Sequence, residues 1–193
     1  MGRLTAEEKK KVQKPLLWIG LASIVMVFAG LTSGYVVSRS ALKVDNRWSE
    51  FPLPDAFLWA TIAIALSSVT FIWAKSAIKK GDQKKAGQVL GLTILLGLAF
   101  AGLQLLGWQE MVDAGLYFTG EGSSTSVSWV YVITALHWLH FLSGLISLIY
   151  TYIRNSKGAY TAKEYQGLSV SGIYWHFLDG LWLYLYFFLL IIR

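Results

Sequence analysis

The amino-acid sequence predicts an all-α fold: a polytopic membrane bundle of five transmembrane helices with a cytoplasmic N-terminus and the C-terminus outside. Three observations carry that prediction. The 193 residues are 55% hydrophobic and 15% aromatic, with a mean hydropathy of +0.50, too apolar for an ordinary soluble domain. The apolar residues fall into five blocks, each long enough to cross a bilayer, for which about 20 residues suffice. Lys and Arg gather in alternate connections between those blocks, which is the signature of membrane topology.

Met1 to Lys14 is basic and polar, with Arg3, Lys9, Lys10, Lys11 and Lys14. The first span, 16–37, is longer than the apolar region of about 7–15 residues found in secretory signals, and no A-x-A site follows. It reads as a retained helix. Gly30 and Gly34 form a GxxxG spacing, with Gly20 and Ser23 nearby, which suits close helix packing; frequent Gly in membrane helices gives the same pattern. Ser38 to Pro54 reads as an external loop containing Trp48. The second span, 54–73, opens on Pro54, a residue suited to a first helical turn, and a linker with Lys75, Lys79, Lys80, Lys84 and Lys85 follows. The third span, 86–108, carries Gly87, Gly91, Gly97 and Gly102, again suited to close packing. Glu110 to Ser126 has three acids, no Lys or Arg and a Gly-Glu-Gly-Ser-Ser-Thr-Ser tract, a flexible loop on the face opposite the Lys-rich linker. The fourth span, 127–152, includes Gly144 as a further packing position, and a basic connection leads to the fifth, 168–192. Residues 1–193 form one membrane domain.

The charge count orients the bundle. One side has five Lys and Arg in the N-terminal arm, five between spans two and three and three between spans four and five; the other has three, none and one. By the positive-inside rule the richer side is cytoplasmic. The net charge of +6 therefore reflects topology and anionic lipid, and no nucleic-acid-binding domain is indicated. With no Cys, disulfides, thiolate metal sites, Cys-ligated iron-sulfur clusters and c-type haem attachment are excluded.

Ionisable residues at membrane depth are expensive and point to function or to a partner. His137 and His140 sit three residues apart in span four, and His176 and Asp179 three apart in span five, so each pair shares a helix face. Three imidazoles invite a haem or copper reading. Two bis-His haems need four His, however, and a copper site would need all three side chains inward, unpaired and at one depth. Hydrogen bonding between helices is the simpler reading. Asp179 is expected to form an ion pair or charge-assisted bond with His176 or with span four. Glu110, at the end of span three, is either a proton-relay or inter-helix partner of a His or a carboxylate in headgroup water. No nucleotide-binding glycine loop, solvent-facing Ser-His-Asp arrangement or broken-helix transporter site is present.

Three segments then resemble, in order, subunit III of the haem-copper terminal oxidases, the cytochrome c and quinol oxidases. Leu103-Gln104-Leu105-Leu106-Gly107-Trp108-Gln109-Glu110 resembles that family's L-Q-x-x-E-Y-x-E. Ala135-Leu136-His137-Trp138-Leu139-His140-Phe141-Leu142-Ser143-Gly144 resembles G-x-H-G-L-H-V-x-x-G. Tyr174-Trp175-His176-Phe177-Leu178-Asp179-Gly180-Leu181-Trp182-Leu183-Tyr184-Leu185-Tyr186 resembles Y-W-H-F-V-D-V-V-W-L-F-L-Y. The likeness extends along the chain and is to the shorter, five-helix bacterial form, which lacks two N-terminal helices of the longer one. Gly107 replaces the first Glu of its motif, and Ile24 stands where many members carry a membrane-embedded Glu, so proton-linked roles of that Glu do not carry over.

The resemblance implies a subunit without cofactor or redox centre in a bacterial cytoplasmic membrane, holding phospholipid in its cleft. Haems and copper would reside in partner subunits. Those partners are the large haem-bearing subunit I, subunit II, a small subunit IV and a supercomplex with a quinol-oxidising complex. The implied role is to stabilise the catalytic subunit, sustain its proton uptake and protect it from inactivation during turnover. Glu110, His137, His140, His176 and Asp179 are then assigned to a polar network joining spans three, four and five. Two rivals fit the same pattern: the small subunit associated with nitric oxide reductases, and a transporter or channel acting alone.

Overall fold

A computed structural model describes residues 6–192, with side chains from Val12 onward. The charges placed by sequence at Arg3, Lys9, Lys10, Lys11 and Arg193 lie outside the described side chains. Five α-helices follow in order: α1 Ala6–Val44, α2 Asp55–Lys79, α3 Gln83–Asp113, α4 Thr125–Ser156 and α5 Gln166–Ile192. All five are long and apolar enough to cross a membrane.

Both ends of α1, α3 and α4, the end of α2 and the start of α5 lie beyond the apolar blocks that announce them. Hydrophobicity marks the part of a helix in hydrocarbon, whereas the helix stops where a capping or breaking residue stops it. α1 therefore runs through Ser38–Val44, expected in a loop, until Asn46 turns to φ +53°; Arg47 N–H then closes the end on the Leu42 carbonyl at 2.9 Å, in the manner of a left-handed cap. α3 starts at Asp82, whose carboxylate accepts from Lys85 N–H at 2.9 Å, and α4 starts on the Ser124 hydroxyl; both are short polar N-caps. α2 follows Pro54, which offers no side-chain cap. Its free amide is served from another helix, Ala56 N–H donating to Glu110 Oε2 at 3.3 Å.

α2 and α3 form a long antiparallel hairpin through Gly81, at φ +81°, and make the most extensive pairing in the bundle. α3 packs on α4, α4 on α5 and α5 back on α2, closing a four-helix ring. α1 leans on the outside of that ring against α4 and α5, without close backbone contact to α2 or α3. Much of it is unpartnered: Met26, Ile19 and Val37 are 76%, 66% and 65% exposed.

Glycine enters this packing as a receptor for rings. A Cβ at Gly34 would lie 2.8 Å from Trp129 of α4, one at Gly97 2.9 Å from Trp175, and one at Gly172 2.7 Å from Phe71. At Gly107 the Phe57 ring would overlap it outright, so the departure from the family's Glu at this position coincides with an aromatic ring from α2 filling the space. Gly144 receives Leu178 in the same way. Gly87 faces the Asn155 amide and Gly91 reaches Tyr152 only at ordinary contact, 3.9 Å. Gly30, expected in a packing seam, has nothing within 4 Å of its Cβ position: it lies on the open side of α1, off the buried stripe of Leu21, Phe28, Thr32 and Tyr35.

The contrast is testable. Gly97→Ala drives a methyl group into the buried Trp175 ring and should cost about 1–3 kcal/mol, as overpacking does, read as a lower thermal midpoint of the solubilised protein. Gly30→Ala should leave that midpoint unchanged or raise it, since Gly is the poorer helix former.

Candidate functional site: the polar seam between helices

A hydroxyl on a membrane helix satisfies its proton on a carbonyl one turn back, which leaves its lone pair free to accept. α2 uses two such hydroxyls against α5. Trp182 Nε1–H donates to Thr61 Oγ1 at 3.0 Å, and Trp175 Nε1–H to Ser67 Oγ at 3.1 Å. Thr61 and Ser67 meanwhile donate to the carbonyls of Phe57 and Ile64. Between them, Ser68 Oγ lies 2.6 Å from His176 Nδ1, and the imidazole rests edge-on against Phe71. On the other side of α2, Thr70 and Thr93 join the hairpin by a 2.8 Å hydroxyl pair.

The three imidazoles diverge. His176 turns to α2. His140 donates Nδ1–H to the Leu136 carbonyl of its own helix at 2.7 Å and sets its ring against Phe28 of α1. His137 is buried in a box of Phe28, Phe100 and Trp182, the last at 5.1 Å between centroids. Its Nε2 meets the Leu178 carbonyl of α5 at 3.1 Å; a carbonyl only accepts, so Nε2 carries the proton and Nδ1 is left an acceptor without a partner. Among the described residues no three His, Asp or Glu side chains converge in a way that could hold a metal ion.

The two carboxylates also part company. Glu110 is exposed and serves the first turn of α2, so of the two readings the sequence left open it takes an inter-helix role, toward a backbone amide and no histidine. A charged residue facing orphan amides at a helix start is favourable on dipole grounds. Asp179 is 2% exposed, and neither oxygen has a hydrogen bond. The expected ion pair with His176 or bond to span four is not formed: three residues apart on one face, the two side chains lie in succession along α2, with the Ser68 hydroxyl 2.6 Å from His176 Nδ1 and within reach of Asp179. Gln104, fully buried on α3, is equally without a partner at either end of its amide. A single network joining Glu110, His137, His140, His176 and Asp179 is therefore not what the structure brings together; it places them in separate contacts between different helix pairs.

The residues that do most of the joining, Thr61, Ser67, Ser68, Trp175 and Trp182, were not singled out from sequence. Only the indoles carried a signal: Trp175 and Trp182 are seven apart and share a helix face, whereas their acceptors Ser67 and Thr61 are six apart and follow no helical repeat. Thr61→Val would leave the buried Trp182 N–H without an acceptor and should cost about 1–3 kcal/mol, measured as thermal stability; Asp179→Asn, which loses no hydrogen bond, should cost little in the same assay.

Residues 10–192 match the family described as cytochrome c oxidase subunit III. The chain is 30% identical to cytochrome c oxidase subunit 3 of Bacillus sp. (strain PS3) over 170 residues, which is 88% of this chain and 80% of that one. It is 37% identical to the Xenopus laevis protein of the same name and 36% to that of Cyprinus carpio, each over 129 residues, 65% of this chain. Against these two vertebrate relatives it spans about half the length, 46%. The fold and these matches agree, and the chain belongs to the cytochrome c oxidase subunit III family.

Proposed function

We propose that this chain is the non-redox accessory subunit of a haem-copper terminal oxidase in a bacterial cytoplasmic membrane. There it stabilises the haem-bearing subunit, holds phospholipid and sustains proton uptake by its neighbour. The observation that carries this reading is the divergence of the imidazoles. His137 and His140 each spend one nitrogen on a backbone carbonyl, and His176 spends one on a hydroxyl, and the three rings face α5, α1 and α2. Haem ligation by a pair of these residues would require two rings to face one another; here their bonds hold helices together. The haems and copper of such an oxidase belong to partner chains on this reading, and this chain's contribution is mechanical and electrostatic. The Lys- and Arg-rich connections support an orientation with the N-terminus in the cytoplasm.

His176→Ala removes the imidazole that joins α5 to Ser68 of α2. In a complex purified in mild detergent, it should lower the amount of this chain retained per catalytic subunit and leave the visible haem spectrum unchanged. Loss of haem absorbance in proportion to the substitution would overturn the non-redox assignment. Co-purification with a nitric oxide reductase core, or substrate flux through liposomes containing this chain alone, would replace it with one of the rival readings.

A further inference from the structure

Asp179 occupies the middle of the seam that holds α5 to α2. Four pairs fix the register there: Trp182 with Thr61, His176 with Ser68, Trp175 with Ser67 and Gly172 with Phe71. Residue numbers rise on α5 as they fall on α2, so the two helices run antiparallel. Asp179, one turn from Trp175 and one from Trp182 on their buried stripe, lies over the turn of α2 from Ile64 to Ser68. Side chains on a helix tilt toward its N-terminus. In an antiparallel pair Asp179 and Ser68 therefore lean toward one another, and the Ser68 hydroxyl is within reach of the carboxyl group.

An ionised carboxylate only accepts, and the donors around this one are committed. The Thr61 and Ser67 hydroxyls donate to the Phe57 and Ile64 carbonyls, and the two indoles donate to those hydroxyls. Cations are distant as well. α2 has no Lys or Arg before Lys75, seven residues and about 10 Å along the axis beyond Ser68, and Lys75 is bonded to Ser169. α4 offers His137, whose Nε2 donates to the Leu178 carbonyl, and His140, bonded to its own helix; it has no Lys or Arg before Arg154, and α1 has none between Lys14 and Arg39. On α5 the flanking tyrosines, Tyr174 and Tyr184, are bonded to Ser143 and Thr32. A charge at this depth with neither donor nor cation is expensive, and a carboxyl group escapes that cost by keeping its proton. Protonated, it becomes a donor with Ser68 Oγ as its acceptor, while Ser68 directs its own proton to His176 Nδ1, 2.6 Å away. The imidazole is the outer member of this chain of three, lining an apolar cleft of about 440 Å³ that opens between α1 and α5.

We infer that Asp179 is a proton-binding site, a neutral acid at rest, whose proton exchanges with the cleft through Ser68 and His176. In the exchange the Asp179 O–H bond breaks and the proton passes to Ser68 Oγ as Ser68 hands its own to His176 Nδ1. His176 Nε2 then releases its proton to water at the cleft, and Asp179 stays a carboxylate until a proton returns by the reverse path. One proton leaves and one negative charge remains. The inference goes beyond the accessory role and does not depend on it.

The test is infrared spectroscopy of the purified complex carrying this chain, in mild detergent at neutral pH. The difference between wild type and Asp179→Asn should contain the carbonyl stretch of a protonated carboxyl group, moving to lower frequency in D2O. Asparagine is neutral and can donate to Ser68, so that variant should stay assembled. Ser68→Ala keeps the acid and removes its acceptor: the band should persist, move to higher frequency and exchange in D2O more slowly than in wild type. Loss of ionised-carboxylate bands in Asp179→Asn, in place of the protonated band, overturns the site. A Ser68→Ala spectrum with the band unchanged in frequency and exchange rate overturns the route and the inference with it. Should Asp179→Asn fail to assemble, Ser68→Ala against wild type decides alone, since a protonated-carboxyl band that answers to Ser68 supports the site and one that does not overturns it.

Discussion

In hydrocarbon, helices gain little from hiding apolar surface from one another, because lipid tails are as apolar as leucine; association must come from contact and from hydrogen bonds that lipid cannot supply. The indole-to-hydroxyl bonds between α5 and α2 meet that condition. Trp175 and Trp182 place large rings in the bundle interior and end on Ser67 and Thr61, hydroxyls whose own protons are already spent on their helix. Each bond has a donor without any other partner and an acceptor with nothing else to accept. The closure of α5 onto α2 rests on these two contacts together with the Ser68–His176 bond.

Packing geometry follows from the same rings. Trp175 is seated against Gly97, Phe71 against Gly172 and Phe57 against Gly107, so that small residues on one helix make room for flat ones on the next. Close approach of this kind needs no backbone-to-backbone contact. It explains why Gly97, Gly107 and Gly172, scattered without a strict repeat, lie in interfaces, while Gly30, in an apparent GxxxG motif, and Gly102, both expected to pack, have nothing within 4 Å of their Cβ positions.

A ring of four helices with a fifth leaning on its outside has a functional consequence. α1 shares its buried stripe with α4 and α5 and leaves the remainder of its surface, including Met26 and Val37, unpartnered. Beside it, over α5, an apolar cleft opens between α1 and α5. The polar seam closes the ring on the inside; the apolar surface of α1 lies on its outside.

Hydropathy alone determined the number of helices, their order and the blocks that lie in the membrane, because the bilayer imposes a length and a composition on any segment that crosses it. The three motifs likewise sufficed for the family, and helical spacing for the fact that His137 with His140, and His176 with Asp179, share faces. What spacing could not determine was the partner of each face. A face points somewhere only once the helices are arranged, and α5 was free in sequence to turn His176 toward α4; the Trp175 and Trp182 bonds to α2 turned it to Ser68 instead and left Asp179 without a partner. Helix ends escaped hydropathy for a related reason: they are decided by caps such as Asp82, Ser124 and the left-handed Asn46, and at α2 by Glu110, a residue 54 positions away that only the tertiary structure brings to the helix it serves.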